Sequence, residues 1–276
     1  MKCQIFYSRS FVFLNVQGAI ENLEYSIVNG DPSTNSPSPG AGRFATTHWS
    51  VVLAAGEPDS TRHRQALEAL CRTYWFPLYV YLRRQGNDAG QAEDYTQAFL
   101  AFLLEKQALS KADPKRGRFR SFLLASLKNF LANERARAAA LKRGGGRKVL
   151  SLDIENAERR YALKPVDESS PEKLFERSWA LTVLDRTMDR LQSEAATAQK
   201  QKLFAALRVY LTADKSSVPY RRMAAELNMS EGAVRVAAHR QRRRYRELLR
   251  DEIAQTVTTE EQIDQEIRDL FAALAR

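Results

Sequence analysis

The sequence predicts an all-α protein made of two small helical bundles joined by a flexible linker, the second containing a helix-turn-helix. Three observations point that way. Apolar residues recur at three- and four-residue steps through most of the chain from residue 64 onward, no alternating run long enough for a strand occurs, and turn-rich polar stretches separate the periodic segments. A length of 276 residues suggests about two modest domains, and 44% apolar with 28% charged residues is a globular balance.

Residues 1–43 lack a helical period and end in Asp31-Pro32-Ser33-Thr34-Asn35-Ser36-Pro37-Ser38-Pro39-Gly40. Prolines and small polar residues resist packing, so this segment reads as a flexible tail. The first bundle is expected over 44–143. From Arg64, residues Leu67, Leu70, Cys71, Tyr74, Trp75 and Leu78 give one apolar helix face, with Pro77 a candidate kink. Turn chemistry at Gly86-Asn87-Asp88-Ala89-Gly90 precedes a second helix over 92–104, with Tyr95, Phe99, Phe102 and Leu103 inward. Asp113-Pro114-Lys115-Arg116-Gly117 breaks the chain before a third helix, from 119 to about 142.

Gly144-Gly145-Gly146 opens a polar linker over 144–171. Gly144-Gly145-Gly146-Arg147 resembles a phosphate cradle only weakly and is read as a hinge. The second bundle, 172–253, is expected to hold helices over 172–192, 195–212, 220–227 and 231–253. An acidic amphipathic helix, 260–274, follows in the segment 254–276. From 251 to 276 seven acids face two arginines, while Ile263, Ile267, Leu270, Phe271 and Leu274 form one apolar stripe. Two roles stay open for it: a cover over the neighbouring arginine-rich helix, or a helix packed on the second bundle.

The most specific local pattern runs Val218-Pro219-Tyr220-Arg221-Arg222-Met223-Ala224-Ala225-Glu226-Leu227-Asn228-Met229-Ser230-Glu231-Gly232-Ala233-Val234. A short helix with Met223, Ala224 and Leu227 inward meets a turn at Asn228, and Ser230 can cap the next helix through its hydroxyl. Small Ala224 permits a close crossing, with Val234 and Ala238 facing the core. The second helix then carries Arg235, Arg240, Arg242, Arg243, Arg244, Arg246 and Arg250. Guanidinium groups suit phosphates and guanine edges in the major groove.

A second basic stretch lies at 111–148, where twelve Lys or Arg stand against two acids. Its net +10 equals the charge of the whole chain, whose isoelectric point is near 9.7. Such a field favours an anionic partner. Phe119, Phe122 and Phe130 are threaded through it, either as core or as platforms for unpaired bases.

Other classes lack their signatures. Cys3 and Cys71 are too far apart for a zinc site or a disulfide framework and suggest a reducing compartment, and the apolar run from Phe11 to Leu14 is too short to span a bilayer. The expected location is the cytoplasm, with no membrane partner. No Walker loop, His-Glu metal helix or Gly-x-Ser-x-Gly motif occurs, and His48, His63 and His239 are scattered. Glu93 and Asp94, being adjacent on a helix, point about 100° apart, which suits a solvated face better than a metal pair. No enzymatic activity, catalytic residue, metal or cofactor is expected.

In order and spacing, these modules resemble the extracytoplasmic-function branch of the sigma-70 family of RNA polymerase sigma factors, over roughly residues 60–145 and 178–250. Asp94-Tyr95-Thr96-Gln97 resembles the Asp-x-x-Gln with which that family holds the polymerase clamp helices. Phe119-Arg120-Ser121-Phe122-Leu123-Leu124 with Lys128-Asn129 is similar to its promoter-melting stretch, and Glu231-Gly232-Ala233-Val234-Arg235 to the Glu-Gly-Thr-Val-Lys opening its recognition helix. Departures are Ala98 for the usual Glu, Phe122 for a Trp, and Val236-Ala237 where polar or basic residues are common. Thr46-Thr47-His48-Trp49-Ser50, Tyr74-Trp75, Gly144-Gly145-Gly146 and the acidic C-terminal helix suggest a distinct subgroup.

The resemblance implies a sigma factor directing promoter recognition, DNA melting and transcription initiation. Asp94 and Gln97 would bind core RNA polymerase. Arg118, Arg120, Lys128, Arg135 and Arg137 would lie on phosphates of the upstream promoter element, with Phe119, Phe122 or Asn129 near flipped bases. Ser230, Glu231, Arg235, His239 and Arg242, linked by steps of three and four, would read the distal element, with Arg243 on phosphate. Partners would be core polymerase, promoter DNA and an anti-sigma factor or other regulator. The alternative is a stand-alone helix-turn-helix regulator binding an operator. A third class, a DNA-processing enzyme such as an integrase, would need catalytic Tyr or acidic residues clustered in a cleft.

Overall fold

The computed structural model describes residues 61–105, 118–140, 154–162, 170–195, 197–212, 218–257 and 259–275. The protein is all-α. Its described helices are α1 (Thr61–Arg84), α2 (Ala89–Glu105), α3 (Phe119–Ala140), α4 (Ile154–Ala162), α5 (Pro171–Ser193), α6 (Ala198–Leu207), α7 (Val209–Thr212), α8 (Tyr220–Leu227), α9 (Glu231–Ala254) and α10 (Glu260–Leu274). The expected tail over 1–43, the motif at 46–50, the break at 113–117 and the glycines at 144–146 lie outside the described residues.

Two compact units divide the chain. The first takes the described residues through Thr182 with Ala254–Gln262, and the second takes Val183–Ile253 with the residues from Ile263 on. The division falls inside α5 and not in the expected linker at 144–171. Leu174, Phe175 and Trp179 bury the N-terminal half of α5, and its Glu172 and Glu176 pair with Lys128 and Arg120 of α3. The linker itself contains α4. Burial alone would raise the Glu158 carboxyl, but hydrogen bonds from Arg83 and Tyr79 outweigh it and hold the group below its ordinary 4.5. Arg83 donates at 2.8 Å and 3.1 Å through Nε and Nη2. Arg160 lies 3.7 Å from the Phe76 ring centroid, and Ala157 is fully buried. This part of the linker is therefore fastened to α1.

In the first unit α1 is the axis. The expected single apolar face is instead burial on all sides from residue 73 to 82, Pro77 included. Helices α2, α3 and α4 each cover part of it; Phe119 of α3, for instance, meets Tyr74 edge-on at 5.1 Å. Gly86 makes the following turn at φ 92°, a conformation a side chain would strain. Asp88 then caps α2, its Oδ1 accepting from the Gln91 N–H while Gln91 Oε1 accepts from the Asp88 N–H. This reciprocal pair satisfies two donors that the helix start would leave open.

The second unit joins the C-terminal half of α5, helices α6 to α9 and most of α10. The one helix expected over 195–212 is two, divided at Arg208. Leu207, Tyr210, Met223, Ala224, Val234 and Ala238 form the core beneath α8 and α9. Helix α10 buries Ile263, Ile267, Leu270, Phe271 and Leu274 to 3% exposure or less, and Asp264 accepts from Arg250 at 2.5 Å. Its apolar stripe is core.

Candidate nucleic-acid interface

Helices α8 and α9 are set by one turn. Asn228 adopts the left-handed conformation, φ 52° and ψ 48°. Its N–H and that of Met229 return to Ala225 and Ala224, with Met229 N at 2.9 Å from Ala224 O. This double return satisfies the carbonyls that a helix end leaves open and fixes the chain's exit. Ser230 then caps α9, its Oγ accepting from the Ala233 N–H at 3.2 Å. With Val234 and Ala238 fully buried, the opposite side of α9 faces solvent.

Of the predicted stripe, Ser230, Glu231, Arg235 and His239 are exposed and Arg242 is half-buried. Glu231, Arg235 and Arg242 form a column leaning toward α8. Arg235 donates to Glu231 at 2.8 Å and lies 5.4 Å from the Tyr220 ring centroid. Arg242 donates to the Tyr220 hydroxyl at 2.6 Å, and Tyr220 is itself stacked on Tyr210 at 4.7 Å. Gly232, Val236, Arg240 and Arg243, about 100° around the helix, form the exposed crest, and His239 stands exposed between the columns. Ser230 is exposed but occupied as a cap. Arg240 makes no side-chain hydrogen bond or ion pair with any described residue, which distinguishes it from the other arginines of α9. Tyr220, Arg240 and Val236 are absent from the sequence-predicted set. The signal for the crest was present, since positions two residues from Val234 and Ala238 point about 200° away from them.

In the C-terminal half of α9, Arg244 and Arg250 are paired within the second unit. Arg244 holds Glu194 at 2.7 Å and 2.9 Å and Glu247 at 2.9 Å. Those hydrogen bonds, to Glu194 first and Glu247 second, raise the Arg244 pKa and hold Glu194 below its ordinary 4.5. Arg186 and Arg190 of α5 clamp the buried Glu252 at 2.5 Å and 3.1 Å. Burial raises the Tyr245 hydroxyl pKa, and Tyr245 donates to Leu184 O at 3.3 Å. Arg243 pairs with Glu247 at 3.4 Å while staying exposed, and so remains able to reach a phosphate.

The predicted residues of the first unit separate into buried and exposed sets. Phe119 is 3% exposed, against Tyr74. Arg120 is also buried: its Nε donates to Glu176 at 2.6 Å and its guanidinium lies 4.3 Å from the Trp179 ring centroid. Both are withdrawn from the surface that phosphate or base contact requires. Phe122 is half-buried, 6.3 Å from Phe119, and Arg118 is half-buried with an intramolecular partner. Lys128 is exposed but paired with Glu172 at 2.8 Å, which lowers the Glu172 pKa. Asn129 and Arg135 are exposed, and the Arg137 side chain lies outside the described residues. Asp94 and Gln97 are not presented together: Asp94 is exposed, whereas Gln97 is 3% exposed and donates to Glu93 at 2.8 Å. Three residues along a helix can share a face, yet here the face of Gln97 is turned into the bundle.

Among the described residues no group of three or more His, Cys, Asp or Glu side chains stands together as a metal site requires, and no helix is long and apolar enough to cross a membrane. No family model, no curated protein and no solved structure matches the chain.

Proposed function

We propose that this chain is a transcription initiation factor of the sigma type, which binds core RNA polymerase and promoter DNA in the cytoplasm and has no chemistry of its own. The observation that carries the reading is the α8–turn–α9 unit. A left-handed Asn228 and a Ser230 cap hold α9 with Val234 and Ala238 inward and Val236, His239, Arg240 and Arg243 outward. A helix so presented fits the major groove, and its exposed guanidinium groups suit the flanking phosphates.

Reconstitution tests it. The full chain should co-elute with core RNA polymerase and direct run-off transcription from a linear genomic template library. Duplex binding without polymerase association is the second reading, a stand-alone operator-binding regulator. The inward turn of Gln97 and the internal pairing of Arg120 favour that second reading, because they remove residues assigned to polymerase and upstream-element contact. Metal-dependent nicking of DNA would overturn both.

A further inference from the structure

We infer that Val236 is a specificity residue that reads the C5 methyl group of a thymine in the major groove. The inference rests on the proposal that α9 enters DNA. A single exposed aliphatic side chain is ordinary on a protein surface; this one is distinguished by its place. Val236 is 50% exposed and is the exposed large hydrophobic side chain among the described residues. It stands at the middle of the outward crest of α9, opposite the buried Val234.

Its neighbours on that crest shape a contact. One turn before it, a Cβ placed on Gly232 would meet nothing within 4 Å, and Ala233 is small and exposed. The crest is therefore low at its N-terminal end, so the helix can approach the groove floor and Val236 becomes its highest apolar point. One turn after it, the donors of Arg240 are engaged by no described residue, and Arg243 follows at the exposed end of the same column. Basic groups beside an apolar tip match a groove walled by phosphates, whose floor presents an apolar group only at thymine. Val236 can neither donate nor accept a hydrogen bond. It therefore discriminates by methyl contact, favouring thymine over cytosine.

The test is a chemical double-mutant cycle. The full chain, alone and bound to core RNA polymerase, selects from a random duplex library, and each thymine of the enriched element is then replaced by deoxyuridine, which lacks only the methyl. One replacement should weaken wild-type binding about fourfold, the weight of one buried methylene-sized group. It should be silent in Val236→Ala, which folds because the side chain is half-exposed and Ala is the better helix former. Arg240→Ala should weaken all sequences alike while keeping the uracil effect. An enriched element with no methyl-sensitive thymine, or one equally sensitive in Val236→Ala, overturns the assignment and leaves the DNA-binding reading intact. Absence of affinity for any duplex under both conditions overturns both.

Discussion

Replacing Arg120 separates a structural role from a DNA-contacting one. Its side chain is 4% exposed, paired with Glu176 at 2.6 Å and stacked on Trp179. Removing one partner of a fully buried ion pair costs about 3–5 kcal/mol. Glu176, however, is 32% exposed and recovers water once Arg120 is gone, so the lower end applies. Loss of the desolvated cation–π contact, about 2 kcal/mol, overlaps with this term rather than adding to it. Arg120→Ala should therefore destabilise the protein by about 3 kcal/mol and lower the melting temperature by roughly 10 °C. Arg120→Met keeps an apolar stem on Trp179 and should retain at least half of that loss. The assay is thermal and urea unfolding followed by circular dichroism, with the salt dependence of duplex binding measured beside it. An unchanged melting temperature, with a salt slope reduced by about one, would refute the reasoning and return Arg120 to the phosphates.

The turn offers a second test: Asn228→Gly should change stability by only a few tenths of a kcal/mol, while Asn228→Val should cost about 1–2 kcal/mol, because a β-branched residue is strained at φ 52°. Phe271, 1% exposed, should cost about 3–5 kcal/mol on substitution by Ala, with no gain in duplex affinity; tighter DNA binding at an unchanged melting temperature would assign α10 the role of a cover. Acid should weaken the fold in a defined direction. Lys128 lowers Glu172 and Arg244 lowers Glu194, while at Glu158 burial acts upward and is outweighed by Arg83 and Tyr79. A folded-state pKa below 4.5 means stability present above 4.5 and lost as pH falls through the lowered values. The melting temperature measured from pH 7 to 3 should thus hold level and then fall below about pH 4.5, and Arg244→Gln should make that fall shallower; a rise on acidification would contradict the pairing.

How far the sequence reaches depends on whether local signals settle an element. Helices α8 and α10 have the bounds their residues predicted, because Pro219, Asn228, Ser230 and the stripe from Ile263 to Leu274 act within a turn or two. Helix α4 was not legible. It is nine residues long, buries Ala157 and the stem of Arg160 rather than a row of large aliphatics, and is held by Glu158 through partners 75 and 79 residues away. The extent of the first unit was hidden for the same reason, since Glu176 and Arg120 meet across 56 residues. At the site, steps of three and four identify a column of side chains but not its direction. The column through Arg235 is exposed as its spacing predicts, but the lean of Arg235 and Arg242 toward Tyr220 depends on a partner in another helix and is not legible from spacing.

The arginines of α9 show why composition overstates a binding surface. A guanidinium in an ion pair must exchange that carboxylate for a phosphate, so its net gain is the difference between two similar interactions. Arg244 would leave Glu194 and Glu247, and Arg250 would leave Asp264. Arg242 would give up a half-buried tyrosine hydroxyl. Among the described residues Arg240 has no carboxylate to leave. The same count of positive charge thus holds two populations: one fastens α9 within the second unit, and the other, Arg240 with Arg243, is presented outward. If α9 enters DNA as proposed, orientation by the first would make the second usable, because a side chain can read a groove only from a helix whose rotation about its own axis is fixed.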